Sequence, residues 1–118
     1  GTLSVVEHHV KIGNKVRMHT QVFVPEYTML EDESWIGPNV VITNAKYPKA
    51  PNAKSELKGV HIRKNAIIGA NSTLLPGVVI GERALIGAGS VVTRDVADEA
   101  VVVGNPAMVI KNISDLIY

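Results

Sequence analysis

Large apolar residues recur at every sixth position along most of the chain. The series contains Ile12, Met18, Val24, Leu30, Ile36 and Ile42, and it resumes with Ile62, Ile68, Leu74, Ile80, Ile86 and Val92. A second series, four positions after the first, carries small or β-branched residues. Helices repeat about every 3.6 residues and strands about every 2, so this period indicates neither a continuous helix nor a long strand.

A six-residue period is typical of a solenoid made of short strands and corners. Two residues in every six would point inward, and coils of this kind stack as parallel strands. Glycine directly follows five members of the first series, and its tolerance of positive φ would suit a corner. A β-sandwich is the alternative, but its strands alternate at period 2 and need turns about every 8 to 12 residues. The pattern therefore predicts an all-β solenoid.

The period is interrupted once, between Ile42 and Ile62. These residues are 20 positions apart instead of six, which leaves 14 inserted residues. The segment is rich in Pro, Lys, Ala and Asn, so we expect a loop at about residues 45–60 that is extruded from one corner. Long loops on rigid repeats commonly carry function, although a surface insertion without a role is the alternative.

The charge and composition of the chain argue against several classes of binding partner. The net charge of +1 provides no electrostatic basis for binding nucleic acid or an acidic membrane surface. No apolar run approaches the roughly 18 residues that a membrane-spanning helix requires. The chain has no cysteine, which rules out disulfides and thiolate metal sites and suits a reducing compartment. We therefore expect a cytoplasmic protein without a membrane span or a nucleic-acid partner.

Over nearly its whole length the pattern resembles the hexapeptide-repeat acyltransferases. The resemblance implies a left-handed parallel β-helix, with about 18 residues in each triangular coil and about four to five coils. Residues 1–118 would form a single domain, and the family's further coils before residues 4–16 (SVVEHHVKIGNKV) would be missing. The resemblance also implies a homotrimer, which would cover exposed strand edges.

Coils of 18 residues would align side chains in vertical columns, about 4.8 Å apart from coil to coil. One column, two positions after the apolar series, contains His8, Glu26, Asn44 and, beyond the loop, Pro76 and Arg94. A second column on the next corner contains Thr20, Pro38, Ala70 and Ala88. The first column places polar side chains at the base of the inserted loop.

Residues 36–48 (IGPNVVITNAKYP) resemble one branch of the family, whose members acetylate an amino group on a nucleotide-linked sugar. That branch carries Thr-Asn-Asp-Lys-Tyr-Pro at this loop, and only Ala45 departs from it. By this resemblance Asn44 lies in the acyl-transfer site. Glu26 is the second catalytic candidate, and His8, Lys46 and Tyr47 are candidates for substrate binding.

The residue at position 44 bears on the type of acceptor. In the sister branch that acetylates sugar hydroxyls, a histidine at the matching site acts as general base. A hydroxyl must lose its proton as it attacks, whereas an amine attacks through its own lone pair. Asn44 cannot act as a base, but it can orient the amine or bind the thioester oxygen. An alternative role for Asn44 is to close an Asx-turn.

The remaining polar candidates are weaker. Glu26 can support Asn44 or accept the surplus proton of the amine, although exposed carboxylates on a solenoid are commonly only solvated. We assign His9, His19 and His61 to the surface or to the trimer interface. The four histidines lack the spacing of a metal site on this fold, so we expect no metal.

The C-terminal segments at residues 86–96 (IGAGSVVTRDV) and 100–110 (AVVVGNPAMVI) resemble the part of the family that supports acetyl-CoA. The resemblance assigns the pantetheine arm to Ala70 and Ala88, a phosphate to Arg94, and the adenine end to Asn105 and Pro106. An arginine suits a phosphate because its planar fork donates two hydrogen bonds. The alternative for residues 104–107 is a simple turn away from the last coil.

Together these features favour an acetyl-CoA-dependent N-acetyltransferase that acts on a nucleotide-linked amino sugar and requires no metal. One alternative is an O-acetyltransferase for a sugar or antibiotic hydroxyl. The other is a non-catalytic trimeric β-helix stub.

Overall fold

The computed structural model describes residues 1–117, and most of its strands are only two residues long. These strands are β1 (Val5–Val6), β2 (Lys11–Ile12), β3 (Arg17–Met18), β4 (Phe23–Val24), β5 (Met29–Leu30), β6 (Trp35–Ile36), β7 (Val41–Ile42), β8 (His61–Ile62), β9 (Ile67–Ile68), β10 (Thr73–Leu74), β11 (Val79–Ile80), β12 (Leu85–Ile86) and β13 (Val91–Val92). All twelve residues of the predicted apolar series are the second residue of a strand.

The chain closes with two longer strands. β14 (Ala100–Gly104) and β15 (Ala107–Asn112) form an antiparallel hairpin, and β14 also pairs in parallel with β12. The helical segments in the described part of the chain are two short 3-10 helices, Ala53–Glu56 and Ile113–Asp115. Neither has the length or the apolar character needed to cross a lipid bilayer.

Three sheets form the sides of a triangular prism. Their strand orders are β1-β4-β7-β10-β13, β2-β5-β8-β11 and β3-β6-β9-β12-β14-β15. Every third strand in the sequence is therefore a neighbour in one sheet, and the chain passes the three sides in turn. Val5 pairs with Phe23 and Phe23 with Val41, which gives 18 residues per coil. The fifth coil is completed by a bridge between Ile80 and Val96.

The core is a stack of thin layers, each filled by the inward residues of one coil. From Val24 to Val92 the first apolar series is at most 1% exposed. The second series contributes small residues, including buried Thr28, Ser34, Ser72 and Ser90. Their hydroxyls donate to carbonyl oxygens at 2.6–3.2 Å, so these polar groups are satisfied inside the prism.

The residues with positive φ at the corners are not the glycines that directly follow the apolar series. The left-handed backbone lies three positions after the apolar series, at residues such as His9, Tyr27 and Asn39. The glycines that directly follow the series do not have positive φ. They are needed for space, because a Cβ on Gly69 would lie 2.6 Å from the backbone nitrogen of Ala88 in the next coil. The prediction that their φ freedom makes the corner was therefore wrong.

The inserted loop leaves and rejoins the prism at one point. The N–H of Lys58 donates to the carbonyl oxygen of Asn44 at 2.8 Å, and the N–H of Gly77 donates to the carbonyl oxygen of Lys58 at 3.1 Å. Thr73 pairs with Val41, a separation of 32 residues that equals one coil plus the 14 inserted residues. The predicted extruded loop is therefore present.

Candidate active site

The predicted column at the base of the loop is present. The parallel register of β1, β4, β7, β10 and β13 sets equivalent residues of successive coils above one another. Two positions beyond each strand of this sheet lie His8, Glu26, Asn44, Pro76 and Arg94. Residues far apart in the sequence thus lie along one corner of the prism.

Asn44 is held by the neighbouring coil. Its Nδ2 donates to the backbone carbonyl oxygen of Glu26 at 3.1 Å, and its own carbonyl accepts the N–H of Lys58. No donor in residues 1–117 reaches its Oδ1, so the bonding of an Asx-turn is not seen here. The half-buried side chain therefore presents a fixed acceptor oxygen at the root of the loop.

Glu26 contacts histidines instead of the Asn44 side chain. Its Oε2 lies 3.0 Å from Nε2 of His8 and 3.4 Å from Nδ1 of His9. Glu26 supports Asn44 through its backbone carbonyl, which accepts the bond from Asn44 Nδ2, while its carboxylate turns toward the histidines of the preceding coil. The Glu26 side chain is 23% exposed, which leaves it accessible from the corner.

His9 is a residue that the sequence argument missed. It is exposed, as the sequence predicts, and its ring also stacks on Tyr27 and lies 3.4 Å from Glu26. The ligand atoms of His8, His9 and Glu26 all lie within 4.8 Å of one another. The sequence contained part of this signal, because residues 18 apart share a corner, which aligns His8 with Glu26 and His9 with Tyr27 in the next coil.

The loop candidates lie around a cavity next to the column. Lys46 and Tyr47 line a space of about 400 Å³ together with Lys58 and Pro76, and Pro76 belongs to the column. The Nζ atom of Lys46 lies 5.5 Å from the centroid of the Tyr47 ring. The cavity thus has two lysines against one carboxylate, that of Glu56, beside an exposed aromatic face, a combination that suits an anionic ligand carrying a flat ring.

The second column is present on the neighbouring corner. Strands β3, β6, β9 and β12 are in register, so Ala70 and Ala88 lie one above the other, and the N–H of Gly89 donates to the carbonyl oxygen of Ala70 at 2.8 Å. The sheet β1-β4-β7-β10-β13 separates this column from the corner that carries Asn44 and Arg94. The candidate acyl-donor and acceptor residues therefore flank one face of the prism.

The C-terminal candidates lie at the upper end of the same face. Asn105 and Pro106 form the turn between β14 and β15. Arg94 lines a cleft of about 230 Å³, and Ala107 and Met108 of the hairpin line its other side. The turn at residues 104–107 redirects the chain away from the last coil, which was the alternative interpretation. It also brings the hairpin beside Arg94.

Comparison with known proteins identifies the repeat. Residues 59–94 match the bacterial transferase hexapeptide family of six repeats. These residues therefore carry the bacterial transferase hexapeptide repeat. In structure, the hexapeptide-repeat chain is similar to a Vibrio cholerae O1 biovar eltor hexapeptide-repeat acetyltransferase complexed with acetyl coenzyme A, with a TM-score of 0.80 and 25% identity over 89% of this chain and 61% of that one. The predicted left-handed parallel β-helix is confirmed by this match.

The names of two curated relatives state different acceptor groups. A galactoside O-acetyltransferase of Lactococcus lactis subsp. lactis is 40% identical over 81% of this chain and 45% of its own length. A dTDP-3-amino-3,6-dideoxy-alpha-D-galactopyranose 3-N-acetyltransferase of Aneurinibacillus thermoaerophilus is 54% identical over 41% of this chain and 25% of its own length. The hexapeptide-repeat chain thus spans less than half the length of these relatives.

Proposed function

We propose that this chain carries the acyl-transfer site of an acetyl-CoA-dependent N-acetyltransferase acting on the amino group of a nucleotide-linked amino sugar. The observation that carries the proposal is Asn44 at the loop root, anchored through Nδ2 and open at Oδ1. An acceptor oxygen that is not a base suits a nucleophile that already has its lone pair. The similarity to a 3-N-acetyltransferase over 48 residues supports the same acceptor class.

In the proposed reaction, the residues of this site orient the acceptor amine and transfer its surplus proton. Bound acetyl-CoA supplies the acetyl group as a thioester. Asn44 accepts an N–H hydrogen bond from the acceptor amine and directs the nitrogen lone pair at the carbonyl carbon. As the C–N bond forms and the C–S bond breaks, Glu26 takes the surplus proton from nitrogen and transfers it to sulfur, so that CoA leaves as a thiol. No metal is required.

The residues on the donor side suit CoA. The half-buried Ala70 and exposed Ala88 leave backbone accessible along one corner, where a thin pantetheine arm needs close approach. Exposed Arg94 provides a fork for a phosphate, and the neighbouring turn at Asn105 and Pro106 is exposed for contact with adenine. The similarity to an acetyltransferase complexed with acetyl coenzyme A supports this assignment.

The loop cavity is assigned to the nucleotide-linked acceptor. Lys46 would pair with the diphosphate, and the ring of Tyr47, a residue that is 68% exposed, would stack on the base. His8 lies on the same corner as Glu26, in the preceding coil, and would contact the sugar. We place the reaction in the cytoplasm, in line with the absence of cysteine.

We also propose a homotrimer. Val5 and Val41 project from the outer face of the sheet between the two columns and are 53% and 41% exposed. Exposed apolar residues along one face favour association with another subunit. Light scattering during gel filtration should give three times the chain mass, and a monomer at working concentration would contradict the trimer.

O-acetylation is the second candidate, and one contact favours it. A histidine whose ring is oriented by a carboxylate can act as general base, and Nε2 of His8 lies 3.0 Å from Glu26. The similarity to a galactoside O-acetyltransferase covers 81% of this chain. In this interpretation His8 would remove the proton from an acceptor hydroxyl.

Thiol release from acetyl-CoA separates the candidates. The protein is incubated with nucleotide-linked amino sugars and with matched sugars that carry a hydroxyl in place of the amine. Release with the amino sugars alone is the expected result. Release with hydroxy sugars alone would overturn the proposal in favour of O-acetylation. CoA binding without release from any acceptor would indicate the non-catalytic stub.

A further inference from the structure

A cluster of three possible metal ligands lies at the lower end of the candidate active site. Glu26 Oε2 is 3.0 Å from Nε2 of His8 and 3.4 Å from Nδ1 of His9, and all three atoms lie within 4.8 Å of one another. Tetrahedral Zn²⁺ with ligands at about 2.0–2.2 Å separates its ligand atoms by about 3.3–3.6 Å. Two edges of the cluster are therefore close to the required spacing.

The surrounding structure orients these three side chains. The His9 ring is stacked on Tyr27 with an interplanar angle of 3°, and the N–H of Tyr27 donates to the carbonyl oxygen of His9. The N–H of Glu26 donates to Oε1 of Glu7 at 3.1 Å, which places a second carboxylate beside the cluster. His9 has φ 57°, the left-handed corner conformation, and both adjacent histidines reach the same carboxylate oxygen.

We propose that His8, His9 and Glu26 bind a divalent transition-metal ion of the Zn²⁺ class, and that the ion inhibits acetyl transfer. Two imidazoles with one carboxylate favour Zn²⁺, Ni²⁺ or Cu²⁺ over Mg²⁺ and Ca²⁺, which prefer oxygen ligands. The histidine side chains are 71% and 64% exposed, so an ion can enter from solvent. The inhibition rests on the proposed function, because the ion would occupy the carboxylate that handles the proton.

Titration calorimetry with ZnCl₂ tests the site without any assay of activity. The whole chain should bind about one Zn²⁺ at this cluster and should not bind Mg²⁺ there. His9→Asn is the informative variant, because Asn39, Asn65 and Asn71 hold the same left-handed corner position and the fold should tolerate the change. We expect it to weaken Zn²⁺ binding at least about tenfold.

His19→Asn is the matched control, since His19 packs against Trp35 away from Glu26. Its Zn²⁺ affinity should equal that of the wild-type chain. Absence of Zn²⁺ binding, or equal binding by His9→Asn and wild type, would overturn the metal site.

Inhibition is measured separately. With an acceptor that supports turnover, Zn²⁺ should inhibit the wild-type chain, and His9→Asn should need at least about tenfold more Zn²⁺ for the same inhibition. Equal inhibition of both proteins would overturn the inhibitory role. Failure of the proposed acetyl transfer would appear as absence of turnover before any Zn²⁺ is added, while the calorimetric result would stand by itself.

Discussion

In the proposed reaction, Asn44 combines a structural and a chemical task. Its Nδ2 donor is used by the carbonyl oxygen of Glu26, and its Oδ1 acceptor stays available to a ligand. Because the anchoring bond runs between coils, the side chain cannot rotate without losing that bond. The amide is therefore oriented before the acceptor binds, which is the arrangement that positioning requires.

Replacement of Asn44 tests this orientation. We expect Asn44→Ala to lower kcat/KM for the amine acceptor about 100-fold, since it removes a preorganised polar group at the reacting centre. The lost hydrogen bond should lower the free energy of unfolding by only about 0.5–1.5 kcal/mol. Steady-state kinetics and urea unfolding measure the two effects.

Asn14→Ala is the control for this substitution. Asn14 also lies two positions after the apolar series, but on another corner. Turnover by this variant should equal that of the wild type. Wild-type turnover by Asn44→Ala would remove Asn44 from the mechanism.

At the scale of the elements, coil spacing depends on glycines that have no room for a side chain. A Cβ on Gly69 would meet the backbone of Ala88 and Ile86 at 2.6 and 2.7 Å. Gly89, at φ 71°, has open space around its Cβ position. Glycine thus allows two coils to approach closely at Gly69, and it adopts the left-handed corner conformation at Gly89.

Two substitutions separate these roles. Gly69→Ala should lower the free energy of unfolding by about 1–3 kcal/mol, because the extra methyl forces neighbouring coils apart. Gly89→Asn should stay within about 1 kcal/mol of wild type, because asparagine tolerates the left-handed conformation. Thermal and urea unfolding measure both, and equal destabilisation by the two variants would contradict the steric role of Gly69.

At the scale of the whole molecule, the inserted loop is a separable addition to a regular prism. Its ends meet at the bond between Asn44 and Lys58, and the strands on either side keep their register. Lys46 and Tyr47 line the cavity that this loop encloses against Pro76. The prism therefore supplies the columns, and in the proposed reaction the loop supplies a surface for the acceptor.

Deletion of residues 45–58 tests this division. Joining Asn44 to Gly59 restores the six-residue spacing between Ile42 and Ile62. We expect cooperative unfolding and CoA binding to persist, while KM for the nucleotide-linked acceptor rises at least about tenfold with the loss of the stacking and ionic contacts. An unchanged KM would show that the loop is only a surface insertion.

The sequence by itself determined the coil, the columns and the position of the loop. A solenoid core accepts only two inward residues in six, so the period of apolar residues defines the register of strands β2–β13, and register aligns Glu26 with Asn44. The 14 surplus residues had to leave the prism, because a coil cannot absorb them without breaking that register.

The tertiary structure alone decided which side chains touch. Periodicity assigns a residue to a corner but not a rotamer, so the turn of Glu26 toward His8 and His9, and the anchoring of Asn44 by a backbone carbonyl, could not be deduced. The crowding at Gly69 was hidden for the same reason, because it arises from the approach of a coil 18 residues away. Those contacts depend on distances between coils, and the order of residues along one chain does not contain them.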